Sequence, residues 1–235
     1  MTDKPLVAVV VFPGSNDDHD AVWALGAVGA EPVLVWHQDA ELPHGTSAVV
    51  LPGGFSYGDY LRTGAIASVA PVMDAVRDFA TSGGPVLGIC NGFQILCEAR
   101  LLPGALLPNR QLEFVCRDAT LRVENADAPF MRRCSLGQEL VIPVKHGDGA
   151  WYADEGTFVQ LAARGQIVLR YVEDVNGALG NVAGVINEAG NVMGLMPHPE
   201  HAVDPLLGPA DGGLLLAALV DAAAMHHDAL APTPA

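Results

Sequence analysis

Gly88-Ile89-Cys90-Asn91-Gly92 is the stretch that most limits what this chain can fold into. Ahead of it, residues 85–89 form a short apolar run after a Gly-Gly break, as expected of a buried parallel strand. After it, Phe93, Ile95, Leu96, Ala99 and Leu102 recur at helical spacing. A strand that turns at once into a helix, around a cysteine with glycines two positions to either side, is the G-x-nucleophile-x-G pattern with sulfur in place of a hydroxyl. Such a turn strains the nucleophile's backbone and needs neighbours without side chains. It also sets Cys90 at a helix N-terminus, where amide dipoles favour thiolate over thiol. A cysteine without those glycines would read as a buried residue at a strand–helix junction. With them, Cys90 reads as a nucleophile.

The same alternation runs through the first half of the chain. Residues 6–12 are a continuous apolar strand ending at Pro13-Gly14, followed by capping and acidic residues 15–18 and a helix to about residue 30. Strands are expected at 32–36 and 47–51, the second stopped by Pro52-Gly53-Gly54, and a helix at about 64–82. Strands alternating with helices predict an α/β fold, an open and mostly parallel sheet flanked by helices. Ligands bind such sheets at the carboxyl ends of the strands, where Cys90 and the Gly53-Gly54 turn both fall. From Arg110 the texture changes. Residues 114–123, 139–144 and 166–172 read as strands, the first of them open to a hairpin reading. Residues 182–186 and 192–196 flank an Asn-Glu-Ala-Gly-Asn turn as an antiparallel hairpin. An apolar helix is expected at 212–224. No linker divides the chain, so residues 1–225 read as a single domain and 226–235 as a disordered tail.

Composition narrows the chemistry. The 235 residues are 50% hydrophobic, enough for a large core. Net charge is −15 and lysine occurs only at positions 4 and 145, which argues against nucleic-acid binding. There is no G-x-x-x-x-G-K-[ST] loop, so ATP, if the full reaction uses it, belongs on another chain. The 6–12 run is too short to span a membrane, and no secretory leader pattern precedes it. The four cysteines form no C-x-x-C pair and the histidines show no metal-binding spacing. A metal-free site in a reduced, cytoplasmic setting is expected.

A cysteine nucleophile needs a base, and the base an orienting group. His198 directly follows a predicted strand in Met196-Pro197-His198-Pro199-Glu200. In an extended segment Glu200 would share a face with it. His146 competes as base, after another strand but with no acid two positions on. His19, His37, His44, His201, His226 and His227 read as surface or tail residues. For the oxyanion of acyl transfer, the candidate donors are the Gly53-Gly54-Phe55 backbone and the Asn91 amide.

Taken together, the chain resembles the class I, triad-type glutamine amidotransferases. More narrowly, it is similar to the family of glutaminase subunits of phosphoribosylformylglycinamidine synthase. The resemblance rests on Pro52-Gly53-Gly54-Phe55-Ser56-Tyr57-Gly58-Asp59-Tyr60-Leu61-Arg62, Gly88-Ile89-Cys90-Asn91-Gly92-Phe93-Gln94 and Met196-Pro197-His198-Pro199-Glu200. Asn109-Arg110, Phe114-Val115-Cys116-Arg117 and His146-Gly147-Asp148-Gly149 extend it over nearly the whole chain. Asp148 departs from it, standing where many relatives are expected to carry Glu. The resemblance implies a flavodoxin-like fold, with Cys90, His198 and Glu200 as a triad and Gln94 as a glutamine-positioning residue. It implies no cofactor in this chain. ATP and magnesium would lie on a large synthetase subunit, with a small bridging subunit completing the complex. A stand-alone γ-glutamyl cysteine hydrolase of the same fold shares the triad and is the alternative.

Overall fold

A computed structural model describes residues 4–230. Its strands are β1 (Leu6–Val11), β2 (Glu31–Trp36), β3 (Thr46–Leu51), β4 (Val86–Ile89), β5 (Ala105–Leu107), β6 (Val115–Val123), β7 (Glu139–His146), β8 (Ala150–Tyr152), β9 (Ile167–Tyr171), β10 (Val182–Ile186) and β11 (Val192–Leu195). Its helices are α1 (Asp18–Ala27), α2 (Val72–Thr81), α3 (Asn91–Glu98), α4 (Glu155–Ala163) and α5 (Gly212–Leu230). Nine strands form one sheet in the order β2-β1-β3-β4-β11-β10-β9-β6-β7, and β5 pairs with β8 apart from it.

The sheet has two textures. Pairings from β2 through β1, β3 and β4 to β11 are parallel; those from β11 through β10, β9 and β6 to β7 are antiparallel. The parallel half is made of the continuous apolar runs. All six residues of β3 and all four of β4 are buried, as both faces of a helix-covered sheet require. Helices α3 and α5 both pack against β3. The 182–196 hairpin expected from the sequence is the β10–β11 pair, and the 114–123 run is one strand paired with both β7 and β9.

Chain order reverses at β1, whose neighbours β2 and β3 leave in opposite directions across the sheet. The crevice at the carboxyl ends of such neighbouring strands is where ligands bind. At this edge an isolated antiparallel bridge ties Ser15, after β1, to Gly54, after β3.

Two expectations are corrected, and one helix is added that the sequence does not announce. Helix α2 begins at Val72, because residues 67–69 form a 3₁₀ turn and Ala70 is extended ahead of Pro71. Steric exclusion of the helical conformation before proline explains the late start. Helix α4 escapes the sequence pattern because its apolar residues scatter and only Leu161 is fully buried; its start is set by Asp154, whose side chain accepts from the Thr157 amide at 3.0 Å. Helix α5 continues to Leu230, so 226–230 is helical rather than tail; residues 231–235 lie outside the described residues.

Helix α3 lies so close to β3 that a Cβ on Gly92 would stand 1.9 Å from the Leu51 carbonyl oxygen. Gly92→Ala is therefore expected to destabilise the fold by about 2–3 kcal/mol, read as a lower urea midpoint at unchanged slope. An unchanged midpoint would mean that α3 can shift on the sheet at no cost.

Candidate active site

Cys90 sits between β4 and α3 with φ 50° and ψ −103°, a conformation that costs energy for any residue with a side chain. Its amide donates to Leu195 O at 2.8 Å, and its carbonyl accepts from the Gln94 amide at 3.1 Å. The turn is thereby tied to the neighbouring strand and to the first turn of the helix. The sulfur lies 3.8 Å from the Lys145 carbonyl oxygen.

Parallel pairing of β4 with β11 sets Ile89 opposite Leu195, so the two strands deliver Cys90 and the 196–200 segment to the same edge. That segment is not extended, as the sequence suggests. Pro199–His201 is a 3₁₀ turn, and its tight winding brings Glu200 back under the imidazole. His198 Nδ1 donates to Glu200 Oε1 at 2.6 Å, with both side chains buried. A carboxylate acceptor at Nδ1 fixes the tautomer and leaves Nε2 as the basic nitrogen. Nε2 is buried and has no partner at full hydrogen-bond geometry. Burial alone would strip the proton from this ring. The negative charges of Glu200 and Cys90 outweigh it and hold the proton well above the usual histidine range.

His146 lies on the same cleft but is held differently. Its Nδ1 donates to Asn109 Oδ1 at 3.0 Å, and no carboxylate orients it. Burial, with the nearby His198 charge, pushes it down to about 4. It is a neutral ring at physiological pH, held by an amide.

The cleft has a volume of about 380 Å³ and is lined by Gly54, Phe55, Cys90, Gln94, His146 and His198 among the residues expected from the sequence. Gly53, Asn91 and Glu200 stand behind that lining. Asn91 Nδ2 donates to Gln94 Oε1 at 2.8 Å, and Gln94 Nε2 donates to the Asp148 carbonyl at 2.6 Å, which pins one wall. The Phe55 amide, expected among the oxyanion donors, is instead committed to Gly14 O at 2.9 Å. Among the described residues, the Gly53, Gly54 and Asn91 amides are the candidates with no backbone carbonyl partner, and of these Gly54 lines the cleft.

The sequence reading missed several groups. Asp17, seen only as an acidic residue near a helix start, is buried beside His198 and paired with Lys145 Nζ. His201 is a half-buried neighbour of Asp17 rather than a surface residue, its Nε2 3.3 Å from Asp17 Oδ1. His37 is also buried, and its Nδ1 accepts from the Tyr57 hydroxyl at 2.6 Å, anchoring the 56–59 turn. Asp59, on that turn, is pushed up to about 6 by burial and by the Asp148 charge across the cleft. The signal for Asp17 was its place after Pro13-Gly14, at the same sheet edge as Gly53.

Residues 4–210 match the family of CobB/CobQ-like glutamine amidotransferase domains. The phosphoribosylformylglycinamidine synthase subunit PurQ of Rubrobacter xylanophilus is 58% identical over 92% of this chain and 98% of its own length. The subunit of the same name from Bradyrhizobium diazoefficiens is 53% identical over 90% and 95%. A chain in the solved structure of PurLQS from Thermotoga maritima superposes with a TM-score of 0.86 at 45% identity, covering 93% of this chain and 98% of that one. A glutamine amidotransferase from the same organism, 18% identical with a TM-score of 0.62, shares the fold. The chain belongs to the CobB/CobQ-like glutamine amidotransferase family and, within it, to the family of PurQ subunits.

Proposed function

We propose that this chain is the glutaminase subunit of a phosphoribosylformylglycinamidine synthase and that Cys90, His198 and Glu200 carry its chemistry. The observation that carries the reading is a strained cysteine turn set at one sheet edge beside a buried His–Glu pair. The Cys90 thiolate attacks the side-chain amide carbon of glutamine, and the oxyanion that forms is taken by the Gly54 and Asn91 amides. His198 gives its Nε2 proton to the departing ammonia, leaving a thioester on Cys90. His198 then takes a proton from water, the hydroxide attacks the thioester carbon, and glutamate leaves as the thiolate is restored. Glu200 holds the ring through both steps. Gln94 shapes the wall along which the glutamine side chain lies, and the Asp59 and Asp148 carboxylates supply the charge that a glutamine α-ammonium takes.

The ammonia passes to a synthetase subunit that binds formylglycinamide ribonucleotide and ATP with magnesium and makes the amidine. This chain needs no cofactor of its own for the glutaminase step. A small bridging subunit completes the assembly. Supporting this division of labour, the chain has two lysines, no phosphate loop and a net charge of −15. The exposed side chains of Phe55, Tyr60, Leu61, Leu112 and Phe114 lie on segments flanking the cleft and offer the synthetase an apolar rim. The curated relatives favour this reading over a stand-alone γ-glutamyl hydrolase, because those matching over nine-tenths of the chain are named as synthase subunits. Among the described residues no helix is long and apolar enough to cross a membrane. We place the reaction in the cytoplasm, where four free cysteines stay reduced.

Three outcomes are expected. Cys90→Ala abolishes glutamine-dependent amidine synthesis by the assembled complex while ammonia-dependent synthesis survives, measured by supplying each nitrogen donor in turn. Loss of both in a folded complex would give Cys90 another role.

His198→Ala lowers glutamate release by at least ~10³-fold, the scale of losing a triad member. His146→Ala costs much less, and Glu200→Gln less than His198→Ala because an amide still orients the ring. A dead His146 variant beside an active His198 variant would reverse the assignment of the base.

The isolated chain hydrolyses glutamine slowly and accelerates when synthetase, ATP and nucleotide substrate are added. The oxyanion turn is held to residues 14–17 by backbone hydrogen bonds alone and adjoins the rim that docks. A misplaced oxyanion donor costs ~10²–10³-fold in rate. Equal kcat/KM for glutamate release with and without partner would refute activation by docking.

A further inference from the structure

Asp17 takes no part in the mechanism above, yet it is buried against the base. Its Oδ2 stands 3.6 Å from His198 Nδ1, and its Oδ1 is bonded to Lys145 Nζ and lies 3.3 Å from His201 Nε2. Burial alone would favour the neutral acid. His201, His198 and Lys145 together overcome it and hold the carboxyl far below the ordinary range, so Asp17 is a fixed negative charge.

Its backbone is as closely engaged as its side chain. The amides of Asn16 and Asp17 both donate to Gly53 O at 3.3 Å. A Cβ on Gly53 would meet Asp17 Oδ2 at 2.3 Å and His198 Cε1 at 2.7 Å. The Asp17 carboxylate and the imidazole therefore converge on one glycine of the oxyanion turn. Lys145 joins the two halves of the site, with its carbonyl against the Cys90 sulfur and its ammonium on Asp17.

A metal reading of this cluster fails on the same contacts. Ligand atoms of Asp17, His198, Glu200 and His201 lie within 4.8 Å of one another. But His198 Nδ1 is already bonded to Glu200, and the Lys145 ammonium already occupies the cation position on Asp17.

We propose that Asp17 is a positioning residue for His198, a second carboxylate, held by Lys145, that fixes the imidazole between Glu200 and the Gly53-Gly54 turn. The consequence for turnover rests on the glutaminase reading; the geometry does not. The charged and titratable groups around His198 are Cys90 at the head of α3, Lys145 and His146 at the end of β7, Asp17 ahead of α1, and Glu200 and His201 on its own turn. Removing the Asp17 charge lowers the pH at which His198 gives up its proton. Removing the Lys145 charge raises it.

The test is a histidine NMR titration of the full chain, with the His198 signal assigned by its loss in His198→Ala. In Asp17→Asn, which keeps the shape, His198 is expected to deprotonate about one pH unit lower. In Lys145→Met, which keeps the backbone carbonyl against Cys90, it is expected to deprotonate about one pH unit higher. The alkaline limb of glutamine hydrolysis by the synthetase-bound chain is expected to move in the same two directions. Opposite signs from two charge deletions are not something a packing role can produce. Unmoved titration in both variants, or movement in the same direction in both, overturns the proposal. If Asp17→Asn does not fold, Lys145→Met decides alone, an upward shift supporting the proposal and no shift overturning it. The titration needs no turnover, so a native complex that releases no glutamate would overturn the glutaminase reading and leave this test standing.

Discussion

The parallel pairing of β4 with β11 is the constraint on which the site depends. Gly88 stands opposite Gly194 and Ile89 opposite Leu195, so two segments far apart in sequence leave the sheet side by side. One leads into the cysteine turn and the other into the His–Glu turn. A slip of one residue in this pairing would send every side chain of the strand to the opposite face and separate thiol from imidazole. The buried glycines and the close helix α3 make that slip costly, because the space on each side of these strands is already taken. Packing in the core and placement of the reacting groups are in this sense one property.

What could be read from the sequence is what is local. The cysteine turn is encoded within a few residues, by an apolar run, flanking glycines and helical spacing after them. Four of the five parallel strands follow from continuous apolar runs separated by Gly and Pro breaks; the fifth, β11, reads only as half of a hairpin, and its parallel pairing with β4 is not written near it in sequence. The His198–Glu200 partnership was legible too, although for a different geometric reason than the one the residues suggest. A 3₁₀ turn does the work that an extended segment was expected to do. The rest was hidden because it depends on distance. Nothing near Asp17 in sequence points to Lys145 or His201, and the three meet only when β1 and β7 are brought to one end of the sheet. Likewise nothing in the Phe55 motif reveals that its amide turns to Gly14. Helix α4 was missed because one buried leucine leaves no periodic stripe to see.

Charge is distributed with the same economy. This acidic chain places one of its two lysines against the site, where low dielectric strengthens each interaction. With Lys145 paired to Asp17, the negative charges that hold the imidazolium come chiefly from Glu200 and Cys90. The carboxylates of Asp59 and Asp148 form a second acidic pair lining the same cleft.

Strand β7 brings Lys145 and His146 to the cleft, and β7 is the last strand of the sheet. It has one sheet neighbour, β6, and is otherwise held by bonds from outside the sheet: Pro143 O accepts from the His198 amide at 2.8 Å, the Val141 amide donates to Asp211 Oδ2 at 2.7 Å, Asn109 Nδ2 donates to His146 O at 2.8 Å, and Lys145 Nζ pairs with Asp17. Local opening costs less than global unfolding, and an edge strand has one ladder of hydrogen bonds to lose where an inner strand has two. Fraying of β7 would withdraw the lysine, the carbonyl beside the sulfur and the anchor of the histidine turn in one event, while the parallel core stays closed. The site is therefore only as stable as the pairing of β7 with β6 and the bonds that hold the end of that strand.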